Sequence, residues 1–87
     1  MVKLIGVLSF FAGADNLKIE VDEGSTIADL LNSLCQKFEG DFEDIVCGNR
    51  GEVLILINDV EVGVLDGWRS KLRDEDVVVL IPASHGG

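Results

Sequence analysis

Few groups in this chain could make or break bonds: two cysteines, Cys35 and Cys47, a single histidine, His85, and the carboxylate that follows Gly86-Gly87. The cysteines form no C-x-x-C and have no second pair to complete a zinc site, so neither a disulfide framework nor a Cys-based metal centre is expected. Two free thiols would fit a reducing cytosol. Cys35 falls at the edge of an apolar helical stripe, where burial raises a thiol's pKa and leaves it inert. Cys47 lies in a connection, and pairing it with His85 as a thiol enzyme has no support from spacing. There is no phosphate-binding glycine loop and no nucleophile–base–acid set. The terminus itself remains. Ile81 closes the last apolar run, and Pro82 to Gly87 follow as a tail that could carry its carboxylate roughly 20 Å from the body, at ~3.3–3.6 Å per extended residue. A carboxylate is a poor electrophile at neutral pH, so another protein must activate it. Two residues without Cβ atoms let the backbone enter a narrow channel in any conformation.

The elements that would position such a tail follow from hydrophobic spacing. Residues 2–11 (VKLIGVLSFF) predict a strand. Leu17, Ile19 and Val21 alternate with Lys18, Glu20 and Asp22 and predict a second strand with one buried face. Ile27, Leu30, Leu31, Leu34 and Phe38 recur at helical spacing, with Thr26 as N-cap, Asp29 completing a capping box and Gly40 ending the helix. A short helical turn is expected at 42–46. EVLILIN and VEVGVL, joined at Asn58-Asp59, predict a hairpin, and VVVLI a final strand. The order is β-β-α-β-β-β. Trp68 is expected to pack partly over the sheet edge.

Both parity sets are apolar in residues 53–57 and 77–81, yet one helix covers only one face of a sheet. An apolar patch is therefore expected around Ile81 with contributions from residues 53–57, unless segment 41–51 or the 64–73 loop folds over it.

Eighty-seven residues, 47% of them hydrophobic, make one domain, here 1–81, with 82–87 as its tail. The net charge of −9 disfavours nucleic acid and anionic membrane. It suits a basic protein surface, or serves solubility alone. MVKLIGVLSFFAGA has the outline of a secretory signal, but its single lysine and short apolar stretch argue against one. No run approaches the ~20 apolar residues needed to span a bilayer.

The pattern Leu56-Ile57-Asn58, Leu65, Leu72, Asp74, Asp76-Val77 and Gly86-Gly87 resembles the sulfur-carrier branch of the ubiquitin-like proteins. That branch includes the ubiquitin-related modifier, the small subunit of molybdopterin synthase, the thiamine-pathway sulfur carrier and the small archaeal modifiers. The resemblance is carried by residues 53–87, and residues 1–47 are compatible with it. The ending His85-Gly86-Gly87 is most similar to the ubiquitin-related modifier, and Pro82 to the molybdopterin subunit. The chain departs from the pattern at Asn58-Asp59, where Asn-Gly is usual, and at Asp74-Glu75-Asp76, where Asp-Gly-Asp is usual. Glu at a positive φ costs more than Gly, so that turn differs in type or is slightly strained.

The resemblance implies an α+β, ubiquitin-like β-grasp fold: a mixed sheet of four to five strands packed on one main helix, with a flexible C-terminal tail. It implies a non-enzymatic, cytoplasmic carrier that binds no cofactor or metal itself. An E1-like adenylyltransferase would supply ATP and metal, and a sulfurtransferase would convert the Gly87 adenylate to a thiocarboxylate for tRNA thiolation or the molybdopterin synthase large subunit. Alternatively, a target lysine would attack to give an isopeptide. Gly87 is the reacting residue in this reading, Gly86 and His85 serve tail access, and Ile81 docks the partner. A non-covalent β-grasp interaction module, with an incidental Gly-Gly, is the competing reading.

Overall fold

The computed structural model describes residues 1–48 and 53–82. Strand β1 (Val2–Leu4) leads to helix α1 (Val7–Ala12), then β2 (Asn16–Leu17), α2 (Ile27–Lys37), α3 (Asp41–Val46), β3 (Val53–Ile57), β4 (Val60–Glu61) and β5 (Val78–Pro82). Two 3-10 turns, Val62–Val64 and Gly67–Arg69, lie between β4 and β5. The five strands form one mixed sheet in the order β2-β1-β5-β3-β4, with β1 and β5 parallel and the other pairs antiparallel. Val2, Leu4, Ile55, Ile57, Val78 and Leu80 face inward. They share one core with Ile27, Leu30, Leu31 and Leu34 of α2, Leu8 of α1 and Phe42 of α3. This is the expected β-grasp, a mixed sheet on one long helix.

α2 forms as its sequence dictates. The Thr26 hydroxyl accepts from the Asp29 N–H at 3.3 Å, and the Asp29 carboxylate accepts from the Thr26 N–H at 3.0 Å. Two otherwise orphaned donors are thereby satisfied. The helix ends at Lys37 with Phe38 as its cap, so Gly40 is not its terminator but the N-cap of α3, at φ +91°.

The single strand expected over 2–11 is broken. Gly6 takes φ +62°, which L-residues resist, and the chain turns into α1. Leu8 fills the core, and Gly13 closes the helix in the left-handed conformation by donating to the Ser9 carbonyl at 2.9 Å. The Ser9 hydroxyl donates to Asp15 beyond the cap. The apolar residues here are too continuous to display a period, and the two glycines carry the boundary information. The second expected strand is also shorter. Only Asn16 and Leu17 pair with β1, although Leu17, Ile19 and Val21 keep the alternation by packing against the core. VEVGVL likewise contributes only Val60–Glu61 before coiling into a 3-10 turn.

The largest correction concerns the cysteines. Cys35 and Cys47 are joined in a disulfide across a Cα separation of 6.7 Å, because α3 folds back on α2 and sets its C-cap beside the last turn of that helix. Cys35 is buried, as expected, but it is not a free thiol. The inference of a reducing cytosol drawn from free thiols loses its support. No helix among the described residues is long and apolar enough to cross a membrane.

Cross-linking positions 12 apart stabilises the fold by about 3 kcal/mol through loop closure in the unfolded chain. Reduction, or the pair Cys35→Ala with Cys47→Ser, is expected to lower the melting temperature by roughly 10 °C or more. Circular-dichroism melts with and without reductant measure this, and superimposable melts would contradict it.

Candidate functional site at the exit of the last strand

β5 is paired on both sides. Val78 and Leu80 point into the core, which sends Val79 and Ile81 to the other face of the sheet. The register places Ile81 opposite Leu54, and Val79 between Lys3 and Leu56. The Ile5 N–H donates to the Leu80 carbonyl at 3.1 Å, carrying the β1–β5 ladder one residue past β1 and setting Ile5 beside Ile81. Two rows result. Lys3, Val79, Leu56 and Glu61 form the inner one, with a charge at each end. Ile5, Ile81 and Leu54 form the outer one, wholly apolar and next to Pro82. Leu54 is 40% exposed and Ile5 45%, while Ile81 is half-buried by its neighbours.

The described parts of the segments that could have covered this face lie elsewhere. α3 packs on α1 and α2. The 64–73 loop closes against the start of α2, where Ile27 N–H donates to the Ser70 carbonyl and Leu72 N–H to the Ser25 carbonyl, with Leu72 buried. Trp68, in the second 3-10 turn, is 57% exposed and so only partly packed. Neither segment, as far as it is described, covers the apolar patch around Ile81, and Ile5 and Leu54 are exposed.

Pro82 is the last described residue, paired with Val53 at the end of β5. Gly6 sits against it, since a Cβ there would lie 3.6 Å from the Pro82 ring. Pro82 thus lies between the outer apolar row and the entry to α1. His85, Gly86 and Gly87, and the expectation of a flexible tail, lie outside the described residues. Among the described residues no cluster of His, Cys, Asp or Glu could hold a metal ion. A Cys47–His85 enzyme falls, because the Cys47 sulfur is in the disulfide.

At the opposite end of β5, the motif residues prove to be architectural. Asn58 and Asp59, at φ +49° and +72°, form the two-residue hairpin turn. The Asn58 side chain then clamps the start of β5: its Nδ2 donates to Asp76 at 2.9 Å and its Oδ1 accepts from the Val77 N–H at 2.9 Å. The second Asp76 oxygen accepts from the Arg73 N–H. Glu75 occupies φ +69°, so the expected strain at this turn is present. Sequence reasoning placed the patch around Ile81 and residues 53–57 and saw Ile5 in the second parity set of residues 2–11, but did not join Ile5 or the α1 surface to the patch. Parity counted from Val2 and Leu4 would have put Ile5 on the Ile81 face.

The sheet on its one long helix is a ubiquitin-like β-grasp, with an apolar row at the end of its last strand. The ThiS family profile matches residues 2–87, and the chain belongs to that family, one of ubiquitin-like sulfur carriers and modifiers. The structure is similar to that of small archaeal modifier protein 1 from Methanosarcina acetivorans, with 29% identity and a TM-score of 0.80 over 99% of this chain and 93% of that one. It is also similar to a Pyrococcus furiosus protein described as molybdopterin converting factor, subunit 1, at 28% identity and a TM-score of 0.73, covering 95% and 94% of the two chains. Urm1 from Trypanosoma brucei shares the fold at 24% identity and a TM-score of 0.77, over 99% of this chain and 92% of that one. A search of curated proteins finds no match.

Replacing Asn58 with Ala removes two side-chain hydrogen bonds and is expected to cost about 1–2 kcal/mol of stability. Because the clamp lies at the far end of β5, reactions at the chain terminus should be unchanged while the protein is folded. Urea unfolding read beside an activity measurement separates the two effects.

Proposed function

We propose that this chain is a sulfur carrier or protein modifier whose reacting group is the Gly87 carboxylate. An E1-like adenylyltransferase holding ATP and metal takes the tail. The carboxylate attacks the α-phosphorus and expels pyrophosphate, giving an acyl adenylate. Reduced sulfur delivered by a sulfurtransferase then attacks the acyl carbon and AMP leaves, producing a thiocarboxylate. That product would donate sulfur in tRNA thiolation or to a molybdopterin synthase large subunit. A target-protein lysine attacking the same adenylate would give an isopeptide instead. The chain contributes no catalytic residue in this reading, only a presented terminus, with Gly86 and His85 giving access.

The observation that supports this most is the outer row Ile5–Ile81–Leu54, apolar, exposed at Ile5 and Leu54, and next to Pro82, the residue that precedes the last five. A partner seated there holds the tail's origin fixed while Gly87 enters its active site. The net charge of −9 favours encounter with a basic surface around that seat. Family membership adds to this, as does the BexX/CysO complex from Amycolatopsis orientalis, which shares the fold at 20% identity. The same open face would also suit a non-covalent interaction module, in which Gly-Gly does nothing.

Incubation with ATP, the cognate activating enzyme and a sulfur source, followed by intact mass, is expected to show one oxygen replaced by sulfur at Gly87. Deleting Gly86-Gly87 should abolish that gain and leave the melting temperature unchanged; a deletion that keeps full biological activity would favour the interaction module. Ile81→Asp should raise KM for the activating enzyme roughly 10- to 100-fold, the equivalent of losing one buried aliphatic contact, with kcat retained.

A further inference from the structure

The exposed side of α1 carries three large apolar residues that the core does not use. Val7, Phe10 and Phe11 stand at i, i+3 and i+4 and so share one helix face. Phe10 is 79% exposed, and its ring meets that of Phe11 edge-on at 5.5 Å. No charged residue occurs within α1. The rim is acidic: α3, packed beside it, begins Asp41, Glu43, Asp44, and Asp15 sits beyond its C-terminal cap. This face is joined to the outer row of the sheet through Ile5 and Gly6, and Gly6 lies against Pro82. The apolar surface therefore borders the tail exit on two sides.

We propose that the Val7–Phe10–Phe11 face of α1 is a second docking surface for the activating protein, which grips the carrier on both sides of Pro82 with an apolar groove rimmed by basic residues. This rests on the function proposed above. Its geometric ground is the length of the tail. Five residues beyond Pro82 reach at most ~18 Å when fully extended. A protein that takes Gly87 into an enclosed site must lie within that radius and cover the ground around Pro82. The α1 face is part of that ground. Two aromatic side chains held on a helix provide large contact area with few rotamers to freeze, as binding anchors do. Acidic residues along the α3 side select a basic rim on the partner and disfavour another acidic protein, including a second copy of this chain.

The test is steady-state thiocarboxylate formation with the cognate activating enzyme, comparing the unaltered chain with Phe10→Glu and Phe10→Ala. Phe10 is exposed enough for both variants to fold, and circular dichroism checks this. KM is expected to rise about tenfold or more for Phe10→Glu and less for Phe10→Ala, with kcat maintained. An unchanged KM for Phe10→Glu, with the unaltered chain loading normally, overturns the docking surface and leaves the carrier function standing. Failure of the unaltered chain to gain sulfur overturns the carrier function and this surface with it. Light scattering decides the remaining occupant: concentration-dependent dimers that Phe10→Glu dissolves, without a change in KM, would assign the face to a second copy and sink the proposal.

Discussion

β5 is hydrogen-bonded on both sides, to β1 in parallel and to β3 antiparallel, and the rest of the molecule depends on this double pairing. A strand in that position has no free edge, so its side chains alone can meet solvent. Val78 and Leu80 anchor the core under α2, and the pleat obliges Val79 and Ile81 to face the other way. The parallel partner also ties down both ends of β5. Val78 N–H donates to the Met1 carbonyl at one end of β5, and Ile5 lies beside Ile81 at the other. A sheet covered on one side, with apolar residues in both parity sets of its central strands, must expose an apolar face. Here that face ends where the tail begins.

Features set by near neighbours in the sequence were legible. The capping box needs only Thr26 and Asp29, and the hairpin turn only Asn58 and Asp59, so short-range chemistry determines both. The open patch was legible as well, because parity in β3 and β5 shows directly in the order of residues. α1 was not. VLSFFA fits a strand as well as a helix by composition, and the choice is made by Gly6 turning the chain and by Leu8 entering the core, a tertiary event. The disulfide was hidden for a related reason. Its cysteines are 12 apart, and they meet only because α3 reverses direction against α2. Counting cysteines cannot reveal a fold-back. The setting of the apolar row needed the register that puts Ile5 next to Ile81.

The resemblance to sulfur carriers rested largely on residues that do no chemistry. Asn58, Asp76 and Val77 form a clamp that fixes the hairpin turn to the start of β5 through side-chain and backbone hydrogen bonds. Glu75 tolerates a left-handed conformation within the same turn, which shows that the surrounding bonds are strong enough to hold a non-glycine residue there. A pattern of this kind reports the fold. It bears on function only because the fold directs β5, and whatever follows Pro82, toward the same apolar exit.

The two ends of β5 therefore have separate duties, and their separation bears on what kind of machine this is. At the clamped end, hydrogen bonds between polar side chains and backbone hold the register. At the exit end, side chains that contribute little to the core stand open to a partner: Ile5, Leu54 and, across Gly6, Phe10. An enzyme must bury and orient its reacting groups within its own fold, which couples activity to core packing. A carrier that lends its terminus to another protein's site escapes that coupling. Exposed apolar residues at the exit then cost solubility without adding stability, and an acidic remainder with a net charge of −9 offsets that cost by keeping free copies apart. On the function proposed here, apolar seat and acidic surround are two halves of one arrangement that would select a basic, grooved partner over a second carrier.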